Sequence, residues 1–100
     1  EMFDLNMQEN EKMRLMKNAR IVCTTLSISG HRDMVGFPED FDTVIIDEAS
    51  QGVEVSTLTP LKLGCRRLIL VGDPKQLPAT CFSEVAKNHD YDRSLFQRLQ

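Results

Sequence analysis

No stretch of this 100-residue sequence approaches the roughly 20 consecutive apolar positions that a membrane-spanning helix requires. The amino end, Glu1-Met2-Phe3-Asp4-Leu5-Asn6, has no basic segment leading into an apolar core, so no secretory leader is expected there. Cysteine is sparse: Cys23, Cys65 and Cys81 are odd in number, widely spaced, and lack both a Cys-x-x-Cys pattern and nearby paired histidines. Reduced thiols in an intracellular protein are therefore expected, and a zinc site is not. Positive charge is also short, with 12 Lys and Arg against 15 Asp and Glu and a net charge of −3. That balance argues against a generally basic coat for nucleic acid, but leaves room for one local groove. Glycine is scarce, and none of the five, at 30, 36, 52, 64 and 72, is followed by lysine. A Gly-x-x-x-x-Gly-Lys-Ser/Thr phosphate loop is thereby excluded from these residues. No internal repeat or low-complexity tract is evident.

What is present is an ordinary globular composition, 41% hydrophobic and 27% charged, in a length that allows one domain with a small core. Two apolar runs dominate it: Thr43-Val-Ile-Ile-Asp47-Glu48-Ala-Ser50, and Leu68-Ile-Leu-Val-Gly72-Asp73-Pro-Lys-Gln76-Leu-Pro-Ala-Thr80. Each is rich in branched residues without polar alternation and ends abruptly in acidic or polar groups. Such runs suit strands covered on both faces, as in a helix-flanked parallel sheet. Ile21-Val-Cys-Thr-Thr-Leu26 reads as a third strand that turns polar sooner. In open α/β sheets ligands bind beyond the carboxyl ends of the strands. Thr24, Thr25, Asp47, Glu48, Gly72 and Asp73 are thus expected on one rim.

Between these runs, residues 2 to 18 read as a helix with a polar interval from Gln8 to Lys12, and its methionines as packing surface. Ser29-Gly30 and Gly36-Phe37-Pro38-Glu39-Asp40 punctuate a long connection expected to be mobile at its tip. Ala49 to Leu61 can supply a crossover helix, stopped by Pro60, with Gly64 turning the chain towards Arg67. A final helix is expected to start at Asp92, with Leu95 and Leu99 on one face. No terminator closes that helix, so the domain is expected to continue.

Asp47 and Glu48 are adjacent where a strand ends and successive side chains diverge. In phosphoryl transfer to water, one carboxylate can hold a magnesium ion bridging the phosphates while the other orients or deprotonates the attacking water. The plain alternative is that Asp47 caps a helix near Ala49 and Glu48 is solvated. In the second run Gly72 permits a tight exit, Asp73-Pro74 fixes a turn, and Gln76 offers both a donor and an acceptor. A neutral amide suits a sensor that bonds a terminal phosphate and loses it after hydrolysis. A rigid loop with a hydrated Gln76 is the alternative.

Taken together, Val-Ile-Ile-Asp-Glu-Ala-Ser-Gln at 44 to 51 and Val-Gly-Asp-Pro-Lys-Gln-Leu-Pro-Ala-Thr at 71 to 80 closely resemble motifs II and III of superfamily 1 helicases. Cys23-Thr-Thr-Leu-Ser27 and Ser94-Leu-Phe-Gln-Arg-Leu99 further resemble the up-frameshift-like branch. Asn88-His-Asp-Tyr-Asp-Arg-Ser-Leu-Phe looks most like its senataxin-type members. The likeness covers roughly residues 19 to 99.

This resemblance implies an α/β fold, a parallel sheet flanked by helices, forming part of a RecA-like domain of the P-loop NTPase class. Residues 1–18 would lead into it, and 19–100 would form the C-terminal part of the first motor domain. It also implies ATP-driven 5′-to-3′ movement on single-stranded RNA or DNA, with unwinding of RNA:DNA hybrids or duplexes. On the matching positions Asp47 would hold Mg²⁺, Glu48 would activate water, Gln76 would sense the γ-phosphate, and Asp73 would lie with them in the ATP site. Thr24, Thr25 and Ser27 match the segment that contacts the nucleic-acid backbone, where hydroxyls can bond phosphates without reading bases. The alternative for Thr24 and Thr25 is ordinary β-branched strand filling.

The sequence departs from the family in two ways. Leu77-Pro78-Ala79-Thr80 keeps one proline where motif III often has two, and the phosphate loop and second motor domain are missing. The segment alone is therefore expected to be inactive, within an active and nuclear parent; a cytoplasmic parent stays open. A non-catalytic helicase-like module that binds nucleic acid or protein is the competing reading. A metal-dependent nuclease would want further convergent acids or a lysine near the strand ends.

Overall fold

Parallel pairing of the two main apolar runs organises the chain. The structure, a computed structural model, describes residues 2–35 and 41–100. The expected mobile tip at 36–40 lies outside the described residues. Strand β1, Thr43–Ile46, pairs in parallel with β2, Arg67–Leu70, in the register Thr43 to Arg67 through Ile46 to Leu70. Pairing extends past both strand ends. The Asp42 carbonyl accepts the amides of Arg66 and Arg67 at 3.1 and 3.0 Å, and beyond the strands Val71 donates to Ile46 at 2.9 Å and Ala49 to Val71 at 2.8 Å. The rim that follows the sheet is thus held by backbone before any side chain acts.

Helix α1 spans Met2–Asn18, as the sequence suggests, and its polar stretch Asn10 to Lys12 is exposed. The expected third strand does not form. Ile21 to Thr25 makes no ladder, Ile21 is 82% exposed, and α2 (Leu26–Ser29) begins where the strand would end. A strand needs a neighbour to take its amides and carbonyls, and among the described residues the sheet has only β1 and β2. The Thr25 hydroxyl instead accepts the Ile28 amide at 3.2 Å, a helix N-cap. A further short helix, α3, covers Arg32–Val35.

The crossover is shorter in helix than expected. Residues 47–50 form a turn, α4 covers only Glu54–Leu58, and a 3₁₀ turn continues it over Thr59–Leu63. Pro60 ends the α-helix but fits the first turn of the tighter one, where no amide is needed from it. Gly64, at φ 79°, then redirects the chain in a conformation that a Cβ would oppose. Helix α5, Glu84–Lys87, capped by Ser83, was not expected, and α6 covers Leu95–Leu99. Its cap is Ser94, whose hydroxyl accepts the Gln97 amide at 3.1 Å, rather than Asp92. Leu95 is buried, whereas Leu99 faces solvent.

The short helices pack on one another, α2 against α3, α4 and the 3₁₀ turn, and α4 against α6. Arg98 clamps α6 to α4, donating through Nε and Nη2 to the two Glu54 carboxylate oxygens at 2.7 and 2.8 Å. The Arg98 hydrogen bond holds the Glu54 carboxyl below its usual range, against a smaller opposing desolvation. Because the helices gather together, the sheet is not covered on both faces as its composition suggests. The cross-strand partners Ile45 and Ile69 are 65% and 39% exposed, while Ile46 is buried. The buried set mixes Met34, Ile46, Ala49, Ala79 and Leu95 with Ser29, Ser50, Thr57 and Ser94.

Candidate functional site

The carboxyl ends of β1 and β2 lead directly into the two polar segments. Asp47 is exposed, and its Oδ1 accepts the Glu48 amide at 3.0 Å. It caps no helix, because residues 47–50 are a turn and α4 begins only after Val53. Glu48 has φ 51°, in the left-handed region that disfavours a side chain. The two carboxylates take different partners, Asp47 Oδ1 the Glu48 amide and Glu48 Oε2 the Gln51 side chain.

The chain leaving β2 runs close beside this turn. A Cβ placed on Gly72 would stand 3.0 Å from the Ser50 amide nitrogen, 3.2 Å from that of Ala49 and 3.2 Å from Ser50 Oγ. Glycine here is a packing requirement of the two segments. Beyond it the Asp73 carboxylate accepts the Lys75 amide at 2.9 Å, and its carbonyl accepts the Gln76 amide at 3.1 Å. Asp73 thus shapes the turn that presents Gln76.

The side chains of the two segments meet through Gln51. Its Nε2 donates to Gln76 Oε1 at 2.8 Å and to Glu48 Oε2 at 3.3 Å. The structure therefore links Glu48 with Gln76, two of the residues singled out from sequence, and adds Gln51, to which the sequence assigned no role. Only its amide in a polar turn hinted at one, since its partner lies 25 residues further on. Ser50, also unassigned, is buried with its Oγ lacking a partner among the described residues.

Thr24, Thr25 and Ser27 lie at the start of α2, all exposed. Thr24 Oγ1 donates to the Thr25 carbonyl at 3.4 Å, and Thr25 caps the helix. Among the described residues no hydrogen bond joins these hydroxyls to Asp47, Glu48 or Gln76. Thr25 is a helix cap rather than strand filler. A cavity of about 390 Å³ opens beside this segment, lined by Lys12, Met16, Val22, Cys23, Thr24, Ile28, His31 and Met34. It includes none of the strand-end carboxylates, which lie exposed on the rim.

As an ion site the rim offers hard oxygen. An exposed strand-end carboxylate is a fitting ligand for Mg²⁺, which keeps several waters and takes one or two carboxylates together with phosphate oxygens. Among the described residues no group of three or more His, Cys, Asp or Glu could cage a metal by itself. A magnesium ion at Asp47 would thus depend on phosphate and water for its other ligands.

Parallel strands that deliver an Asp-Glu pair and a glutamine to one rim form part of an α/β domain. Residues 4–84 match the family described as AAA domain, and the chain belongs to that family. It is 56% identical over 86 residues to a probable helicase of Dictyostelium discoideum, covering 86% of this chain and 9% of that protein. Against helicase sen1 of Schizosaccharomyces pombe the identity is 46% over 94 residues, 94% of this chain and 6% of the relative. Against probable helicase senataxin of Homo sapiens it is 46% over 92 residues, 85% of this chain and 3% of the relative. The chain is a senataxin-like superfamily 1 segment with a partial RecA-like α/β fold, spanning less than a tenth of each of these three relatives.

Proposed function

We propose that the chain is the part of an ATP-dependent 5′-to-3′ helicase that reads and hydrolyses the terminal phosphate. The parent protein translocates on single-stranded RNA or DNA and unwinds RNA:DNA hybrids or duplexes, in the nucleus. The observation that carries this reading is the linkage of Glu48 to Gln76 through Gln51 at the ends of two parallel strands. It ties a candidate base to a candidate phosphate sensor across segments distant in sequence.

In this reading Asp47 would hold Mg²⁺, which would supply positive charge against the phosphates. Glu48 accepts the proton of the attacking water. Gln76, with its Oε1 taken by Gln51, presents Nε2 to the γ-phosphate, and Asp73 shapes the turn that places it. At the start of α2, Thr25 accepts the Ile28 amide and keeps its own proton for a phosphate oxygen, because a hydroxyl donates once while accepting elsewhere. Thr24 and Ser27 flank it on the same exposed segment. Such contacts hold the backbone of a strand without reading its bases. The first 18 residues lead into the motor domain, and the remainder forms its C-terminal part. A second RecA-like domain and the phosphate loop belong to the rest of the protein. Without them the 100-residue chain does not turn over ATP.

The test is ATP hydrolysis by the full-length protein, with and without single strands, beside the isolated chain and a full-length Glu48→Gln variant. Strand-stimulated hydrolysis by the wild type alone, with ATP binding retained in the variant, is expected. A wild type that binds strands but never hydrolyses ATP would identify a non-catalytic module instead. Loss of ATP binding in Glu48→Gln would overturn the role given to Glu48.

A further inference from the structure

The Gln51 side chain is exposed and lies in no helix or strand, so neither burial nor secondary structure accounts for its placement. Its two hydrogen bonds leave from one nitrogen to two different segments. We infer that Gln51 is a positioning residue that sets the orientation of both the Glu48 carboxylate and the Gln76 amide for hydrolysis. The inference rests on the reading of Glu48 as base and Gln76 as phosphate sensor.

Donors and acceptors at the site pair in only one way. A glutamine amide has one face that accepts and one that donates, and rotation about its last bond exchanges them. A sensor of phosphate must present its donor. By giving a proton to Gln76 Oε1 at 2.8 Å, Gln51 fixes the acceptor face inward and leaves Gln76 Nε2 as the outward group. By giving its other proton to Glu48 Oε2 at 3.3 Å, it occupies one carboxylate oxygen and leaves Oε1 for water. The carbonyl of Glu48 also accepts the Gln51 amide at 3.0 Å, so the backbone turn itself carries Gln51 back over Glu48. Both target groups sit on exposed turns with several freely rotating bonds. A shared donor restricts them together, which is the form of orientation that lowers a barrier without tightening substrate binding.

The experiment uses the full-length protein with saturating single-stranded nucleic acid, comparing wild type, Gln51→Ala, Gln51→Glu, Gln76→Ala and the Gln51→Ala/Gln76→Ala double variant. Gln51→Ala is expected to lower kcat about tenfold, the scale of one side-chain hydrogen bond. KM for ATP and affinity for a non-hydrolysable ATP analogue should stay within about twofold, a split that general unfolding would not produce. Gln51→Glu keeps the size and loses the donor, and its kcat should fall at least as far. The double variant should lose less than the product of the two single losses, because the Gln51–Gln76 bond is already absent in either single variant, while the Gln51–Glu48 bond is lost only with Gln51. Wild-type kcat in Gln51→Ala, full activity in Gln51→Glu, or a double variant in which the two losses multiply would each overturn this inference while the wild type remains an ATPase. A wild type without ATPase activity overturns it together with the functional reading beneath it.

Discussion

Replacing Gly72 by alanine tests how closely the two polar segments must approach. The added carbon would meet the Ser50 amide nitrogen at 3.0 Å, that of Ala49 at 3.2 Å and Ser50 Oγ at 3.2 Å. Two of these three atoms are backbone, so relief cannot come from a rotating side chain. The backbone of one segment must move, and overpacking of this kind costs about 1–3 kcal/mol. The bond most exposed to that movement is the one from the Ala49 amide to the Val71 carbonyl, 2.8 Å in the structure. If local opening frees that amide, 1–3 kcal/mol corresponds to exchange about 5- to 150-fold faster. Hydrogen exchange of the full-length protein, read at Ala49, measures this directly. Gly52→Ala is the matched control, since among the described residues its Cβ would meet Leu26 Cδ1 at 3.6 Å and Thr57 Oγ1 at 3.8 Å, ordinary contact distances. Unchanged exchange at Ala49 in Gly72→Ala, or an equal acceleration in Gly52→Ala, would refute the packing argument.

Other perturbations follow from contacts already described. The Glu54 carboxyl is held below its ordinary value by Arg98, so the contribution of that pair is complete above about pH 4.3, the usual glutamate value, and is lost as pH falls through the lowered one. Protection of the α6 amides in the wild type should therefore decline in that acid window, and Glu54→Gln should remove this part of the decline; identical acid profiles would count against the clamp. Ser94→Ala removes the buried cap of α6 and should cost about 0.5–2 kcal/mol, seen as faster exchange of the Gln97 amide. An unchanged Gln97 would mean the cap is idle. Gln76→Ala in the full-length protein should lower the number of base pairs unwound per ATP hydrolysed, and normal unwinding per ATP would favour a purely structural loop.

The two parallel strands and their rim were legible because Val, Ile and Leu in unbroken runs leave few alternatives, and because each run stops at charge. Ile21 to Thr25 has similar composition, yet strand formation depends on a neighbour that no property of the segment itself can supply. The helix boundaries were missed for a related reason. Ser94 and Asp92 are both good caps, and the choice fell to the residue whose hydroxyl meets the Gln97 amide while its own side chain is buried. At the site, Asp47, Glu48 and Gln76 stood out by residue type and position at a strand end, and the roles proposed for them came from the motif resemblance. Gln51 did not stand out, because its partnership with Gln76 exists only after the sheet has brought the two turns together. The open Ile45 and Ile69 face was likewise hidden, since composition records how apolar a strand is and not what covers it.

Under the proposed role of Glu48 as base, its positive φ sets stability against activity at a single position. Glycine occupies that region without steric cost and asparagine tolerates it, while a residue with a longer side chain gives up on the order of 1 kcal/mol. A library of variants sorted for thermal resistance would thus tend to enrich Glu48→Gly or Glu48→Asn, and both would discard the carboxylate. On that role, laboratory evolution of a sturdier full-length protein would need a simultaneous selection for turnover, or it would converge on well-behaved, silent proteins.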